Sequence, residues 1–353
     1  MDLKFSIPAR STRVRFFPSE AAFSKAFVKR KGLCLWDEGA PISTDTKRVG
    51  IHFLPGGESC KRWSEAGKIL EMLASMHQER SQALLVVGGG ALLDLGALVA
   101  SLYRRGTPLV MVPTTLLGMV DASVGGKTAV DSATGSGLLK NFAGTFYPAG
   151  EVWIAPHFLA SLTRAERISG AGECWKTLWI EGISGKDGAL FEFILSGKVS
   201  AGLRGIVRRC LAAKIRVVQR DPLDTKRIRE ILNFGHTVGH VLESGEGISH
   251  GEAVLWGMAV EATLLGKKGE AMQKEILRVL LELKLNIPPA FFAEKDYGAF
   301  LLGDKKAKGG KIELSLLAKP GKIEKLRIAP AKIAAAIKAF PEFYRRASSR
   351  LLM

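Results

Sequence analysis

Three of the chain's six histidines, His236, His240 and His250, crowd into fifteen residues of ILNFGHTVGHVLESGEGISHGEAV. On a helix turning about 100° per residue, Arg229, Asn233, His236 and His240 step by four, three and four along one stripe, with Ile231, Val238 and Leu242 opposite. Imidazoles one turn apart can face a single divalent ion, and a carboxylate from another segment would complete the shell. Spacing alone does not pick that carboxylate. An exposed polar face would leave a similar stripe, but the local density of histidine favours a metal or acid–base role.

A second constellation lies in PTTLLGMVDASVGGKTAVD and LLKNFAGTFYP, where Thr114, Thr115, Asp121, Lys127, Lys140 and Asn141 sit in Gly-rich loop text directly after an apolar run. Ammonium and amide donors suit anionic oxygens, so the segment is read as a phosphate or polyol site, with a solvated loop as the alternative. VVGGGALLDLG sends a strand through Gly88, Gly89 and Gly90 into a helix, which exposes free amides to a pyrophosphate. It lacks the GxGxxG spacing, so a tight packing turn remains an equal reading. Lys214 interrupts the apolar seam Leu203, Val207, Cys210 and Val218, at the edge of a helix or in a site.

These residues need elements to hold them. GLCLW (32–36), VGIHFL (49–54), ALLVV (83–87) and PLVMV (108–112) read as strands, separated by helical patterns at about 61–76 and 91–103. That alternation is the grammar of a parallel α/β sheet. After Pro156 the text changes to long amphipathic helices. Thr163 and Glu166 make a capping box that should start one running through Glu173 and Lys176, and KIELSLL with IEKLRIA reads as a short ribbon. The expectation is therefore an α/β nucleotide-binding domain over 1–156, a Rossmann-like parallel sheet, and a mainly α-helical domain over 157–353.

With 353 residues, 47% of them hydrophobic and 24% charged, the chain can bury two cores. The start, MDLKFSIPARSTR, carries no apolar run of signal-peptide length, and the apolar stretch from Ala83 to Tyr103 is broken by four glycines and Asp94. A cytoplasmic protein without membrane partners is expected. Cys34, Cys60, Cys174 and Cys210 are scattered and show neither a disulfide framework nor metal-ligand spacing. Lys and Arg number 51 against 34 Asp and Glu, a net charge of +17. The basic residues are spread without interleaved aromatics, so steering of an anionic substrate is preferred over nucleic acid.

Taken together and in order, PGGESCK, GGGALLD, PTTLLGMVDASVGGKTAV, KNFAGTFYP, NFGHTVGH and HGEAV closely resemble the 3-dehydroquinate synthases of the shikimate pathway, within the sugar-phosphate cyclases. The likeness runs from about residue 55 to 304. It implies a dehydroquinate synthase-like fold with NAD and a metal ion, usually zinc, with cobalt or another divalent ion as alternatives. The metal ligands it implies are Glu173, His236 and His250. The NAD contacts it implies are Glu58, Lys61, Gly90 to Asp94, Thr114, Thr115, Lys127, Lys140 and the stretch Phe158 to Ser161, with Asp37 on the adenosine side. The substrate contacts are Asp121, Lys127, Asn141, Lys176, Lys214, Arg229, Asn233, His240 and one of Lys305 and Lys306. Arg105, in a YxRG-like segment, is implied to reach phosphate in a neighbouring subunit, hence a homodimer.

The implied reaction turns 3-deoxy-D-arabino-heptulosonate 7-phosphate, a phosphorylated keto-acid sugar, into 3-dehydroquinate and phosphate. The chain departs from the family's pattern at Thr177, Leu178, Ala165 and Asp224, and in a longer segment before Lys140. None of these removes an implied ligand. Two rival readings are a 2-deoxy-scyllo-inosose or valiolone-type synthase, and an NAD-dependent polyol or glycerol-phosphate dehydrogenase. Arg229 favours a carboxylate-bearing substrate over the first.

Overall fold

The structure, a computed structural model, describes residues 11–46, 50–134, 137–185, 187–243, 248–292, 297, 301, 307–308 and 310–351. The chain divides into two compact units, Met1–Leu162 and Thr163–Met353. Pro156–Ser161 goes with the first unit, because Phe158 and Leu159 are buried in its core.

In the first unit six parallel strands run in the order β1 (Arg13–Phe16), β8 (Glu151–Ile154), β5 (Leu109–Pro113), β4 (Leu84–Gly88), β2 (Cys34–Asp37) and β3 (Ile51–Leu54). The central pair, β4 and β5, is buried along its whole length, as expected of apolar runs covered on both faces. Helices α1 (Glu20–Phe27), α2 (Trp63–Ser75) and α3 (Gly90–Leu102) belong to this unit. All four expected strands are present, shortened or shifted at their ends. The supposed loop text after Thr128 is instead an antiparallel hairpin, β6 (Val130–Thr134) and β7 (Gly137–Ala143), with an irregular register between Val130 and Ser132.

The second unit is built around α8 (His250–Thr263), which is buried almost all round from Gly251 to Ala262 and packs against α4 (Arg164–Ile180), α7 (His236–Glu243) and α9 (Glu270–Glu282). The capping box forms: Thr163 Oγ1 accepts from the Glu166 N–H, and Glu166 accepts from the Thr163 N–H. Around these lie α5 (Gly188–Ser196), α6 (Ala201–Arg220), α10 (Pro330–Leu351) and a small sheet of β9 (Ala307–Lys308), β10 (Lys311–Lys319) and β11 (Lys322–Ile328). Its β10–β11 pair is the expected ribbon. Among the described residues no helix is long and apolar enough to cross a membrane.

A further expectation fails. Arg229, Asn233, His236 and His240 do not share a helix: Arg229–Asn233 is a 3-10 turn, the chain breaks at Phe234 and Gly235, and α7 begins only at His236. Gly235 has φ +82°, a left-handed conformation that interrupts any α-helix.

Candidate active site

Glu173, His236 and His250 come from three helices, α4, α7 and α8, and each offers one ligand atom within 4.8 Å of the other two. Nε2 of His236 lies 3.6 Å and Nε2 of His250 3.9 Å from Oε1 of Glu173. Glu173, the carboxylate that the family resemblance implied, is thus the one that lies beside the two imidazoles and could share an ion with them. It is buried, and neither of its oxygens has a well-aligned hydrogen bond, although Oε2 faces the Lys176 ammonium at ion-pair distance. A buried carboxylate with spare lone pairs opposite two imidazoles suits a divalent ion of the zinc type, and two nitrogens with one oxygen leave positions open for substrate.

Local sequence explains the approach of α4 to α8. A Cβ at Gly172 would stand 2.3 Å from the carbonyl oxygen of Gly251, so the two backbones touch there. Gly172 precedes Glu173 and Gly251 follows His250, so that contact sets two ligands side by side. On the far side of its ring, His250 Nδ1 donates to Glu243 Oε2 at 3.0 Å, which turns Nε2 toward Glu173. Burial resists protonation of this ring, but the Glu243 hydrogen bond and the charges of Glu173 and Glu243 outweigh it and hold the imidazole above its usual range.

His240 lies beside this group, with ring centroids 5.6 Å from His236 and 6.3 Å from His250, and it is exposed. Lys176 and Lys214 are both buried, Lys214 within the apolar seam of α6. Arg229 is also buried, and its Nη1 donates to the Pro222 carbonyl at 3.3 Å. The loop before Arg229 is organised by Asp221, whose carboxylate accepts from the N–H groups of Thr225, Lys226 and Ile228 at 2.9, 3.1 and 3.2 Å. Asn233, half-buried, ends the 3-10 turn. Lys305 and Lys306 lie outside the described residues.

In the first unit the glycine run links strand to helix. Gly88 ends β4, Gly89 caps α3 without any side-chain hydrogen bond, and Gly90 opens this thirteen-residue helix, so its N-terminus lies at the carboxyl end of a central strand. Thr114 follows the neighbouring strand β5 closely, and its N–H donates to Gly88 O. Thr115 Oγ1 accepts from Gly118 N–H and shapes the turn that carries Asp121. Asp37 ends β2. The Lys61 ammonium is buried and donates to Asp94 Oδ2 at 2.6 Å and to Asn141 Oδ1. Burial opposes its charge, but Asp94, with the charges of Glu58 and Asp131, outweighs it and holds the ammonium above its ordinary value.

Glu58 lies exposed in a short turn, Lys127 is exposed just before the hairpin, and Lys140 is exposed within β7. Arg105 is exposed and, like Arg104, adopts a left-handed conformation. Phe158 is packed among Phe23, Trp36 and His157, so only its backbone is available to a ligand. Ser161 Oγ is spent on the Phe158 carbonyl.

Sequence reasoning missed Glu243, Asp221 and Asp131. Asp131, buried, accepts the Asn141 N–H at 2.7 Å and so holds Asn141 at φ +52° within an irregular strand. No spacing rule marks such residues, because each serves a neighbour that only the fold brings near. The Asp of VDSAT beside a Gly-rich run was the one available hint.

Family models described as 3-dehydroquinate synthase N-terminal and C-terminal match residues 51–169 and 170–307. A 3-dehydroquinate synthase of Alkaliphilus metalliredigens is 34% identical over 290 residues, covering 79% of each chain. One of Symbiobacterium thermophilum is 38% identical over 292 residues, covering 79% of this chain and 78% of the other. Among solved structures, the 2-epi-5-epi-valiolone synthase of Streptomyces hygroscopicus subsp. jinggangensis 5008, with NAD+ and Zn2+ bound, superposes with a TM-score of 0.82 at 25% identity, covering 96% of this chain and 99% of that one. With two consecutive family models spanning most of its length and relatives this similar over most of theirs, the chain belongs to the 3-dehydroquinate synthase family.

Proposed function

We propose that the chain is a 3-dehydroquinate synthase, converting 3-deoxy-D-arabino-heptulosonate 7-phosphate into 3-dehydroquinate and phosphate with a divalent ion, zinc before cobalt, and NAD that is regenerated in each turnover. The observation that carries this is the meeting of Glu173, His236 and His250 in a chain of this family. NAD would supply reversible hydride transfer at C5 of the substrate, and a divalent ion held by Glu173, His236 and His250 would supply Lewis acidity toward substrate oxygens.

The chain's own residues do the rest. In the first unit the amides at Gly89 and Gly90 would hold a pyrophosphate, with Glu58, Lys61, Asp94, Thr114, Thr115, Lys140 and the backbone at Phe158–Ser161 around the cofactor and Asp37 toward its adenosine. Asp121, Lys127 and Asn141 contact substrate there, and the Lys61 ammonium orients the Asn141 amide so that its N–H donors remain for phosphate oxygens. In the second unit the planar Arg229 guanidinium, with one of Lys305 and Lys306, recognises the substrate carboxylate. Lys176, Lys214 and Asn233 position substrate oxygens. His240, exposed next to the metal ligands, exchanges protons near the departing phosphate. The substrate's phosphate itself assists removal of the C6 proton once C5 is a ketone.

The exposed Arg105 fits a role in a neighbouring subunit's phosphate site, and we propose a cytoplasmic homodimer. The test offers the heptulosonate phosphate with NAD and zinc. Phosphate and dehydroquinate should appear in equal amounts without accumulation of NADH. Stoichiometric NADH would favour the dehydrogenase reading, and phosphate release only from a sugar phosphate without a carboxylate would favour another cyclase. Sedimentation at assay concentration checks the dimer.

A further inference from the structure

We propose that Glu261 is a positioning residue of the metal centre: from α8 it supplies the helix cap that Gly235 lacks, and so fixes the backbone on both sides of His236. The inference rests on the reading of His236 as a metal ligand. Helix α7 opens at His236, and Gly235 stands at its N-cap, its carbonyl accepting the first intrahelical bond from Gly239 N–H at 2.8 Å.

An N-cap is usually Ser, Thr, Asp or Asn, whose side chain accepts from the N–H two or three residues on. No such residue fits here. The position requires φ +82°, and a Cβ would fall 2.4 Å from Met258 Cγ and 2.6 Å from the Val254 carbonyl. Glycine is therefore required by space, and the orphan amides need an acceptor from elsewhere.

Glu261 is that acceptor. It is 1% exposed, Oε2 accepts Gly235 N–H at 2.8 Å, and Oε1 accepts Val238 N–H at 3.1 Å. Val238 is the third residue of α7, the donor a native N-cap side chain would serve, and a carboxylate there is also favoured by the helix dipole. The two tethered amides bracket His236, one before it and one two residues after it. With both oxygens facing α7 amides, Glu261 acts through the backbone and not as a ligand.

The test measures zinc affinity by competition with a chromophoric chelator in the full-length protein, wild type, Glu261→Gln and Glu261→Ala, alongside the melting temperature of each after chelation. Loss of residues that orient metal ligands typically weakens affinity 10- to 100-fold. The amide of Glu261→Gln keeps one acceptor, so about a tenfold rise in Kd is expected there and about a hundredfold in Glu261→Ala. Should Glu261→Ala fail to fold, the Gln variant and hydrogen exchange at Gly235 and Val238 decide, with faster exchange at both amides expected in the variant. A lower melting temperature with zinc Kd within twofold of wild type would make Glu261 purely structural and overturn the proposal. Wild-type protein that takes up no zinc would instead overturn the metal reading itself, and this inference with it.

Discussion

At the scale of single residues, Glu173 and Lys176 form a buried ion pair whose side chains are only 3% and 2% exposed. Removing one partner of a buried pair leaves the other charge desolvated, at a cost of about 3–5 kcal/mol. Glu173→Ala should therefore bind no zinc and, compared with chelated wild type in urea unfolding, should be less stable by about that amount. A stability difference below about 1 kcal/mol would mean that Lys176 is compensated elsewhere. Glu243 is a subtler case. Glu243→Gln preserves a hydrogen-bond acceptor for His250 Nδ1 but removes the charge behind it, so zinc affinity should fall about tenfold while the fold is retained. Chelator competition reads this directly.

At the scale of elements, helix contacts decide whether ligands meet. Gly172→Ala places a methyl group 2.3 Å from a backbone oxygen that cannot rotate away, so α4 and α8 must separate. We expect destabilisation of about 1–3 kcal/mol together with loss of bound zinc, measured by unfolding and by metal content. Gly67 in α2 is the contrast, since a Cβ there meets nothing within 4 Å and its φ is not left-handed. Gly67→Ala should stabilise the protein by about 0.5–1 kcal/mol. The loop of Asp221 predicts a pH effect. Burial raises the Asp221 carboxyl, but backbone N–H groups of Lys226, Thr225, Ile228 and Arg229 outweigh it and hold the group below its ordinary value. A depressed folded value means that its contribution is whole above the unfolded value, about pH 4, and is lost as pH falls through the folded one. Asp221→Asn should lose it at neutral pH and flatten the acid limb of a stability–pH curve.

At the scale of the whole molecule, a charge of +17 acts on any anionic substrate before contact. If that charge steers a phosphorylated keto-acid, KM should rise as ionic strength increases from about 0.01 to 0.15 M, where the screening length shrinks from about 30 to 8 Å, while kcat changes little. A KM independent of salt would show that the excess charge serves something other than encounter.

The amino-acid order alone determined the class of each unit, four of the sheet's six strands, the glycine turn ahead of α3 and the capped start of α4, because each depends on periodicity or on neighbours a few residues apart; the edge strand β1 and its neighbour β8 were not marked by it. It also carried enough family-like segments to imply the ligands. It misled where a local pattern met a tertiary demand. The four-three-four stripe through Arg229 and His240 looked helical, yet packing of Gly235 against Val254 and Met258 breaks it. The hairpin that displays Asn141 was hidden by its glycines, and its irregular register depends on the distant Lys61 and on Asp131. Only the tertiary structure set Glu173 against two imidazoles from other helices and placed Glu243 and Glu261 behind them. Such contacts join residues far apart in the chain through backbone surfaces in touch, and no repeat or spacing along the chain records them.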